Sequence, residues 1–180
     1  MFLGGGLYLP LFLIMPFSYD YFKQDFYNHM VKEFDHNLQI LDVGAGAGTY
    51  GRLLGKYFTS IDALEAYPQY IEEFELTKVY RNVYCADLRI VGKIEHEYLI
   101  LGDIIEHLTI EEAQEVLNNI HTQEVKCMVA VPYLMPQGAV GGNELEIHKQ
   151  EDLTHKIVLQ RYHMLHVLFK NEYYGYYINY

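Results

Sequence analysis

A glycine-rich corner between two apolar segments holds the residues best suited to chemistry. One predicted strand, residues 40–43, runs into Gly44-Ala45-Gly46-Ala47-Gly48, and a second, residues 61–64, ends on Glu65. Glycines allow a sharp turn and a close approach of the backbone to a ligand, and the helix pattern behind them offers unpaired N–H groups. A carboxylate at the tip of the second strand can accept hydrogen bonds from both hydroxyls of a ribose. The corner therefore predicts a site for a nucleoside cofactor.

The glycine spacing distinguishes between nucleoside cofactors. Dinucleotide sites carry G-x-G-x-x-G and seat a pyrophosphate on the helix end, whereas this chain has G-x-G-x-G with Asp42 two residues before it. A carboxylate there would repel a pyrophosphate but suits the ammonium and sulfonium groups of S-adenosylmethionine (SAM). The segment resembles motif I of the class I SAM-dependent methyltransferases, and the resemblance continues through Asp87 and Asp103 to about residue 148. NAD or FAD, or a structural turn without ligand, are the alternatives.

The resemblance implies a role in SAM binding for each of these residues. The cofactor-binding set it gives is Asp42, Gly44, Ala45, Gly46, Gly48, Glu65, Ala66, Asp87, Leu88 and Asp103. Asp42 and the glycines would hold the methionine part, Glu65 the ribose, and Asp87 with Leu88 the adenine. S-adenosylhomocysteine (SAH) would be the product. The alternative for Asp87 is a helix N-cap.

The first segment suited to the methyl acceptor follows the fourth predicted strand. Asp103-Ile104-Ile105-Glu106-His107-Leu108 resembles the acid-x-x-Glu-His-Leu stretch of methyltransferases that act on small molecules, quinone precursors and RNA ends. The Asn/Asp-Pro-Pro-Tyr motif of amino-group nucleic-acid methylases and the Pro-Cys pair of cytosine C5 enzymes are absent from this position. His107 has the side chain of a general base, with Glu106 beside it. Alternatively, both residues cap the next helix and bind neighbouring loops.

The second such segment is the long loop 132–148. Loops of this length in compact domains are commonly functional, and this one resembles a loop that covers the acceptor pocket in some methyltransferases. We expect Tyr133, Asn143 and Glu146 to face a substrate, and His148 to take part in acid–base chemistry or substrate contact. Ordinary loop structure is the alternative.

Both segments together also resemble a metal site. Asp103, Glu106, His107 and His148 are similar to the metal-binding set of small-RNA 2′-O-methyltransferases. Asp in place of the first Glu shortens the reach, the acceptor loop differs, and the acidic chain suits RNA poorly. We therefore expect no metal, and the metal-dependent RNA 2′-O-methyltransferase remains an alternative.

Composition limits the partners. The 180 residues suit one globular domain, and a net charge of −11 with scattered lysines and arginines argues against nucleic acid. Cys85 and Cys127 lack metal-ligand spacing, and we expect both to be reduced core residues of a cytoplasmic protein.

Residues 1–17 form an apolar arm before the methyltransferase domain, residues 18–180. Its apolar run, residues 7–15, is too short to span a bilayer and lacks the basic flank of a signal peptide. The arm is expected to pack over the domain or on a second subunit, which suits a homodimer. A start at Met15 is the alternative.

Alternating helices and strands predict the architecture. Helices are expected over residues 18–36, 49–57, 68–76, 109–120 and 149–160, and strands over 40–43, 60–64, 79–84, 97–102, 125–131, 163–169 and 173–179. The pattern favours an α/β fold with a doubly wound, mostly parallel seven-stranded sheet and an antiparallel C-terminal strand. In such a sheet Asp42, Glu65, Asp87 and Asp103 would lie together at the carboxyl ends of the strands. We predict a SAM-dependent methyltransferase acting on a small molecule. A non-catalytic SAM-binding or regulatory subunit is a further alternative.

Overall fold

Seven strands form one sheet whose order reverses between β1 and β4. The computed structural model describes residues 19–180, so the predicted arm, residues 1–17, lies outside the described residues. The strands are β1 (Ile40–Val43), β2 (Ile61–Glu65), β3 (Val83–Cys85), β4 (Tyr98–Gly102), β5 (Lys126–Pro132), β6 (His166–Lys170) and β7 (Tyr174–Ile178). Their order is β3-β2-β1-β4-β5-β7-β6. Among these strands β7 alone runs opposite to the other six, so its pairings with β5 and β6 are both antiparallel. The expected doubly wound, mostly parallel sheet is confirmed.

In residues 19–180, five α-helices cover the two faces of the sheet. They are α1 (Lys23–Glu33), α2 (Thr49–Leu54), α3 (Pro68–Glu73), α4 (Ile110–Thr122) and α5 (His155–Arg161). The predicted start of α4 is confirmed, because Thr109 and Glu112 exchange side-chain and backbone hydrogen bonds in a capping box. None of the helices in residues 19–180 is both long and apolar enough to cross a membrane.

Several predicted element bounds were wrong. Among the described residues, α1 covers only Lys23–Glu33 of the predicted 18–36, α3 ends at Glu73 instead of near residue 76, and β6 begins at His166 instead of at residue 163. Residues 79–82 do not continue β3, because Leu76–Lys78 form a 3-10 helix that precedes the strand. Residues 149–153 do not belong to α5, which begins after its N-cap Thr154. Helix α2 ends at Leu54 instead of near residue 57, with Gly55 as its C-cap.

Alternating side chains of the central strands build a core on each face of the sheet. On one face, Leu99 and Leu101 of β4 pack with Leu117 and Ile120 of α4. On the other, Ile100 packs in the cluster that contains Phe26 and Met30 of α1 and Leu54 of α2. Cys127 is buried in the first cluster as expected, but Cys85 is exposed, because β3 is an edge strand. Both cysteines are free.

The strand register brings the functional segments together. Val43 at the end of β1 pairs with Leu64 of β2 on one side and Leu101 of β4 on the other. The residues that follow these three strands therefore lie side by side at one edge of the sheet, where ligands of such sheets bind.

Candidate functional site

The corner after β1 is held open by glycines in the left-handed region. Gly44, Gly46 and Gly48 have φ angles of 63°, 49° and 75°, which side chains other than glycine rarely adopt. A Cβ at Gly44 would also lie 2.1 Å from Cδ1 of Ile104, in the segment after β4. The loop backbone therefore approaches that segment more closely than a side chain would allow.

Glu65 at the end of β2 is fixed by the same corner. Its Oε2 accepts a hydrogen bond from the Gly46 amide at 2.9 Å, and its Oε1 accepts one from the Tyr67 amide at 2.8 Å. Burial raises the pKa of the Glu65 carboxyl, although these amides oppose the rise. The carboxylate is thus oriented before any ligand arrives.

Asp42 lies behind the cavity instead of lining it. Its carboxylate is 1% exposed and accepts a hydrogen bond from the Tyr80 hydroxyl at 2.5 Å. Burial raises the pKa of Asp42 to about 7, with the Tyr80 hydrogen bond opposing the rise. Neither Asp42 nor Gly48 is part of the cavity wall. The resemblance predicts that Asp42 helps to hold the methionine part of SAM. In the structure the Asp42 carboxylate bonds the Tyr80 hydroxyl outside the cavity wall, and that role stays a prediction.

Asp87 lines the cavity and also caps a helix. Its Oδ1 accepts hydrogen bonds from the amide and Nε of Arg89, at the start of the 3-10 helix Leu88–Ile90. Hydrogen bonds from Arg89 lower the pKa of Asp87. The capping alternative is therefore correct for the side chain, and its position on the cavity wall leaves the adenine role as a proposal.

Asp103 follows β4 with strained backbone geometry. Its φ of 57° is in the left-handed region, and its Oδ1 accepts a hydrogen bond from the Tyr174 hydroxyl at 2.6 Å. Lys23 of α1 lies nearby, with its Nζ 4.1 Å from the centroid of the Tyr50 ring. Burial lowers the pKa of Lys23 to about 8, while Asp103 and Asp42 oppose the fall. Nothing in the sequence distinguished Lys23 from other helix lysines.

Glu106, His107 and His148 lie together on the wall of the cavity. Glu106 is 1% exposed, and burial raises the pKa of its carboxyl well above the usual range. The rings of His107 and His148 lie 4.7 Å apart in an edge-to-face arrangement. Burial lowers the pKa of His107 to about 4 and also lowers that of His148, so both imidazoles are neutral at pH 7.

The long loop contributes Asn143 and Glu146 to the cavity but not Tyr133. Asn143 accepts a hydrogen bond from the Leu145 amide, and the Tyr70 hydroxyl hydrogen-bonds with the side chains of Asn143 and Glu146. Tyr133 was expected to face a substrate. Its hydroxyl instead lies 2.5 Å from that of Tyr177, and it is not part of the cavity wall. The Tyr133 ring lies outside the cavity because the start of the loop is beside the start of β7. There the Tyr133 amide donates a hydrogen bond to the carbonyl of Tyr173.

One cavity unites most of the predicted site residues. Of the predicted set, its wall contains Gly44, Ala45, Gly46, Glu65, Ala66, Asp87, Leu88, Asp103, Glu106, His107, Asn143, Glu146 and His148. Sequence reasoning missed Tyr50, Arg89, Met135, Gln137 and Lys149, which also line it. Met135 and Gln137 lie in the long loop 132–148, so the predicted role of that loop could have identified them as cavity residues. Tyr19, which precedes α1, also lines the cavity.

The cavity is strongly acidic. Its wall carries the carboxyl groups of Glu65, Asp87, Asp103, Glu106, Glu144 and Glu146 against the two cations Arg89 and Lys149. Both cations bind Glu112 at the rim, at 2.7 Å and 3.3 Å. Such a wall suits a ligand with positive charge and opposes a pyrophosphate.

Comparison with solved structures identifies the fold. DhpI, in a complex with SAM and HEP, superposes with a TM-score of 0.65 at 11% identity, covering 86% of this chain and 84% of that one. A SAM-dependent methyltransferase from Clostridium acetobutylicum ATCC 824 gives a TM-score of 0.62 at 11% identity, over 89% of this chain and 91% of that one. Magnesium protoporphyrin IX methyltransferase (ChlM) from Synechocystis PCC 6803, with bound SAH, gives 0.60 at 12% identity, over 87% and 80%.

These likenesses extend across most of both chains but at low identity. No family model matches the sequence, and no curated protein sequence matches it. The comparisons therefore show the fold: this chain has the class I SAM-dependent methyltransferase fold.

Proposed function

We propose that this protein is a methyltransferase that binds SAM, transfers its methyl group to a small-molecule acceptor and releases SAH. The acidic cavity at the carboxyl ends of β1, β2 and β4 carries the proposal. SAM has a sulfonium and an ammonium group and no phosphate, so its charges complement this wall. The likeness to structures that contain SAM or SAH adds support.

Each part of SAM has a suitable partner. The Glu65 carboxylate, held by the Gly46 amide, is placed to accept hydrogen bonds from the ribose hydroxyls. The backbone of residues 44–46 lies open to the cavity for the methionine part. Asp87 and Leu88 lie on the side where the adenine would extend. Asp103 begins the segment expected to face the acceptor and would balance the positive charge of the cofactor.

The acceptor would enter between the long loop and the Glu106–His107 segment. A lone pair of its oxygen, nitrogen or carbon nucleophile forms the new bond to the methyl carbon, and the C–S electron pair returns to sulfur, which gives SAH. The proton of the acceptor then has to leave. His107 and His148 are neutral at pH 7 and can accept it. The wall residues Met135, Gln137 and Asn143 give the pocket a mixed apolar and polar lining.

A small acceptor suits this cavity better than RNA does. The net charge of −11 and the excess of carboxyl groups would repel a phosphate backbone. Magnesium protoporphyrin IX methyltransferase and mitomycin 7-O-methyltransferase, two proteins that share the fold, act on small molecules by name.

Thermal unfolding in the presence of SAM, SAH or NAD⁺ tests the cofactor. A ligand at about 100 times its dissociation constant adds roughly 2.7 kcal/mol of stability, which should raise the midpoint by several degrees for a domain of this size. We expect a shift with SAM and SAH and none with NAD⁺. No shift with either SAM-related ligand would reject the proposal.

A second measurement separates an enzyme from a non-catalytic SAM-binding subunit. SAH formation is followed while pooled hydroxyl and amine acceptors are supplied, with the wild type and the variants His107→Asn and His148→Asn. An enzyme should lose rate in the variants and keep its SAH affinity. SAH binding without turnover by the wild type on any pool would favour the binding subunit.

A further inference from the structure

Three donor side chains converge on one point of the cavity. One ligand atom from each of Glu106, His107 and His148 lies within 4.8 Å of the ligand atoms of the other two. Glu106 and His107 come from the 3-10 helix Ile105–His107 after β4, and His148 from the end of the long loop. Residues about 40 positions apart in sequence are thus brought together by the fold.

Three side-chain atoms of Glu106 and His107 in this cluster have no hydrogen-bond partner among residues 19–180. Both carboxyl oxygens of Glu106 are buried without a hydrogen-bond partner among the described residues, and the same holds for Nδ1 of His107. Leaving a buried polar group unpaired costs roughly 1–3 kcal/mol, and more for a charged one. Three such atoms side by side indicate that the cluster is completed by a ligand.

His148 is oriented as a metal-binding histidine would be. Its Nδ1–H donates to the carbonyl of Met135 at 2.7 Å, so Nε2 carries the free lone pair. A backbone carbonyl that holds one ring nitrogen and leaves the other to the metal is the usual outer contact of such ligands. The loop that carries His148 is also tied to the other ligand, because the amides of Lys149 and Gln150 donate to the Glu106 carbonyl.

We propose that Glu106, His107 and His148 form a binding site for a divalent first-row transition-metal ion. Imidazole nitrogens favour zinc, iron, cobalt and related ions over magnesium or calcium. Three protein ligands are the number found in catalytic metal sites, which keep further positions open. Here those positions face the cavity.

This set differs from the four-residue pattern considered in the sequence, and it departs from the expectation of no metal. The sequence disfavours a metal because Asp103 has a short reach, the acceptor loop differs and the acidic chain suits RNA poorly. Asp103 is not needed in the three-residue set, since its Oδ1 accepts the Tyr174 hydroxyl. A metal ion also does not require an RNA substrate.

The distances require little movement. An ion bonds to nitrogen and oxygen ligands at about 2.0–2.2 Å, so the donors of a filled site lie at most about 4 Å apart. The donors here are within 4.8 Å of one another, and small side-chain rotations close the difference. If the proposed methyl transfer is correct, the open positions would take an oxygen or nitrogen atom of the acceptor, which narrows the acceptor to molecules with such a donor. In the metal-loaded protein, His107 and His148 would use their lone pairs as ligands, so the acceptor, made more acidic by the ion, would lose its proton to water instead of to these imidazoles.

Metal titration of the EDTA-treated, dialysed protein tests the site without cofactor or acceptor. Co²⁺ is added while visible absorption is recorded, and Zn²⁺ and Mn²⁺ are titrated by calorimetry. We expect one ion per chain, with Zn²⁺ displacing Co²⁺. Glu106→Gln and His148→Gln should weaken binding at least about 100-fold, since even loss of an outer contact costs about 10–100-fold. The control His163→Gln changes an exposed histidine outside the cavity and should bind as the wild type does.

Proton NMR of the wild-type protein with Co²⁺ tests the same site without any substitution, so it remains informative if a variant fails to fold. Bound Co²⁺ should shift or broaden the ring proton signals of His107 and His148 and leave those of exposed histidines such as His163 sharp. Binding weaker than about 1 mM, or binding that Glu106→Gln and His148→Gln leave unchanged, would overturn the metal site. Because SAH binding is measured separately, that result would not affect the proposed methyl transfer.

Discussion

The Glu65 carboxylate accepts the amide hydrogen of Gly46 at 2.9 Å, which joins the end of β2 to the loop that follows β1. A second amide, that of Tyr67, holds the other carboxyl oxygen at 2.8 Å. The two hydrogen bonds set the direction of the carboxylate without help from a ligand. The glycine corner and the acid that ends β2 therefore act as one rigid unit. Because this unit is already ordered, ligand binding there costs the protein little conformational entropy.

Replacing Glu65 should weaken cofactor binding. Hydrogen bonds to charged groups contribute about 1.5–3 kcal/mol, so Glu65→Gln should reduce SAH affinity by roughly ten- to 100-fold in calorimetry. Glu73→Gln changes an exposed acid at the end of α3 and serves as the matched control. Equal SAH affinities of the two variants would show that Glu65 does not contact the ribose.

Adding a methyl group at Gly44 should destabilise the corner. The φ of +63° costs a side chain about 1–2 kcal/mol, and the new Cβ would meet Ile104 at 2.1 Å. We expect Gly44→Ala to lower the free energy of urea unfolding by at least this amount and to weaken SAH binding. Gly138→Ala is the control, because a Cβ there meets nothing within 4 Å, and its effect should stay within about 0.5 kcal/mol.

A double-mutant cycle separates the two causes at Gly44. Ile104→Ala removes the clash but not the backbone strain, so the cycle with Gly44→Ala should show a favourable coupling. A coupling of zero would mean that Ile104 moves aside at no cost, and backbone strain would then account for the whole effect.

The strands and the glycine corner could be predicted because their signals are local. The apolar run of β1 and the glycines after it lie within nine residues, and the capping pair Thr109 and Glu112 marks α4 within four. Parallel strands alternating with helices then leave few arrangements of the sheet. The acids that follow β2 and β4 were placed correctly on one edge for the same reason.

Several of the failures involve contacts between distant segments. Residues 149–150 resemble helix in sequence, but their amides bind the carbonyl of Glu106, 43 positions away from Lys149. Tyr80, predicted to belong to a strand, lies before β3, and its hydroxyl donates to Asp42, 38 positions away. Tyr133 turns to Tyr177 of β7, and that pairing is set by the end of the chain. Sequence periodicity carries no information on such partners.

The stability of the protein should decrease with pH through the titration of Asp42. Burial raises the pKa of Asp42 from 3.8 to about 7. The folded state therefore holds this proton more tightly than the unfolded state, and Asp42 reduces stability as pH rises from about 4 to about 7. At about 1.4 kcal/mol per pKa unit, the effect amounts to a few kcal/mol. Asp42→Asn cannot titrate, so its urea unfolding should change less than that of the wild type between pH 5 and 8.

Asp62, the neighbouring acid on β2, gives the opposite dependence. Burial alone would raise the pKa of Asp62, but hydrogen bonds from Arg81, His96 and Asn82 hold it at about 2. The contribution of Asp62 to the free energy of unfolding is present above pH 4 and lost as pH falls toward 2, so Asp62→Asn should alter only the acid side of the stability curve.

A contrary result for Asp42 is also defined. If Asp42→Asn and the wild type have parallel curves of unfolding free energy from pH 5 to 8, Asp42 is already ionised in the folded protein.

The left-handed backbone conformation of Asp103 should lower the stability of the folded protein. Its φ of 57° lies in the left-handed region, which a side chain occupies at a cost of about 1–2 kcal/mol and glycine at almost none. Asp103→Gly should therefore be more stable than Asp103→Ala by about 1 kcal/mol in urea unfolding, after allowance for the greater freedom of glycine in the unfolded chain. Both variants should lose SAH affinity, since both remove the carboxylate.

The matched control pair is Asp25→Gly and Asp25→Ala, at an exposed position within α1. There the order should reverse, with alanine about 1 kcal/mol more stable than glycine. The same order at both positions would show that the left-handed geometry of Asp103 stores no strain.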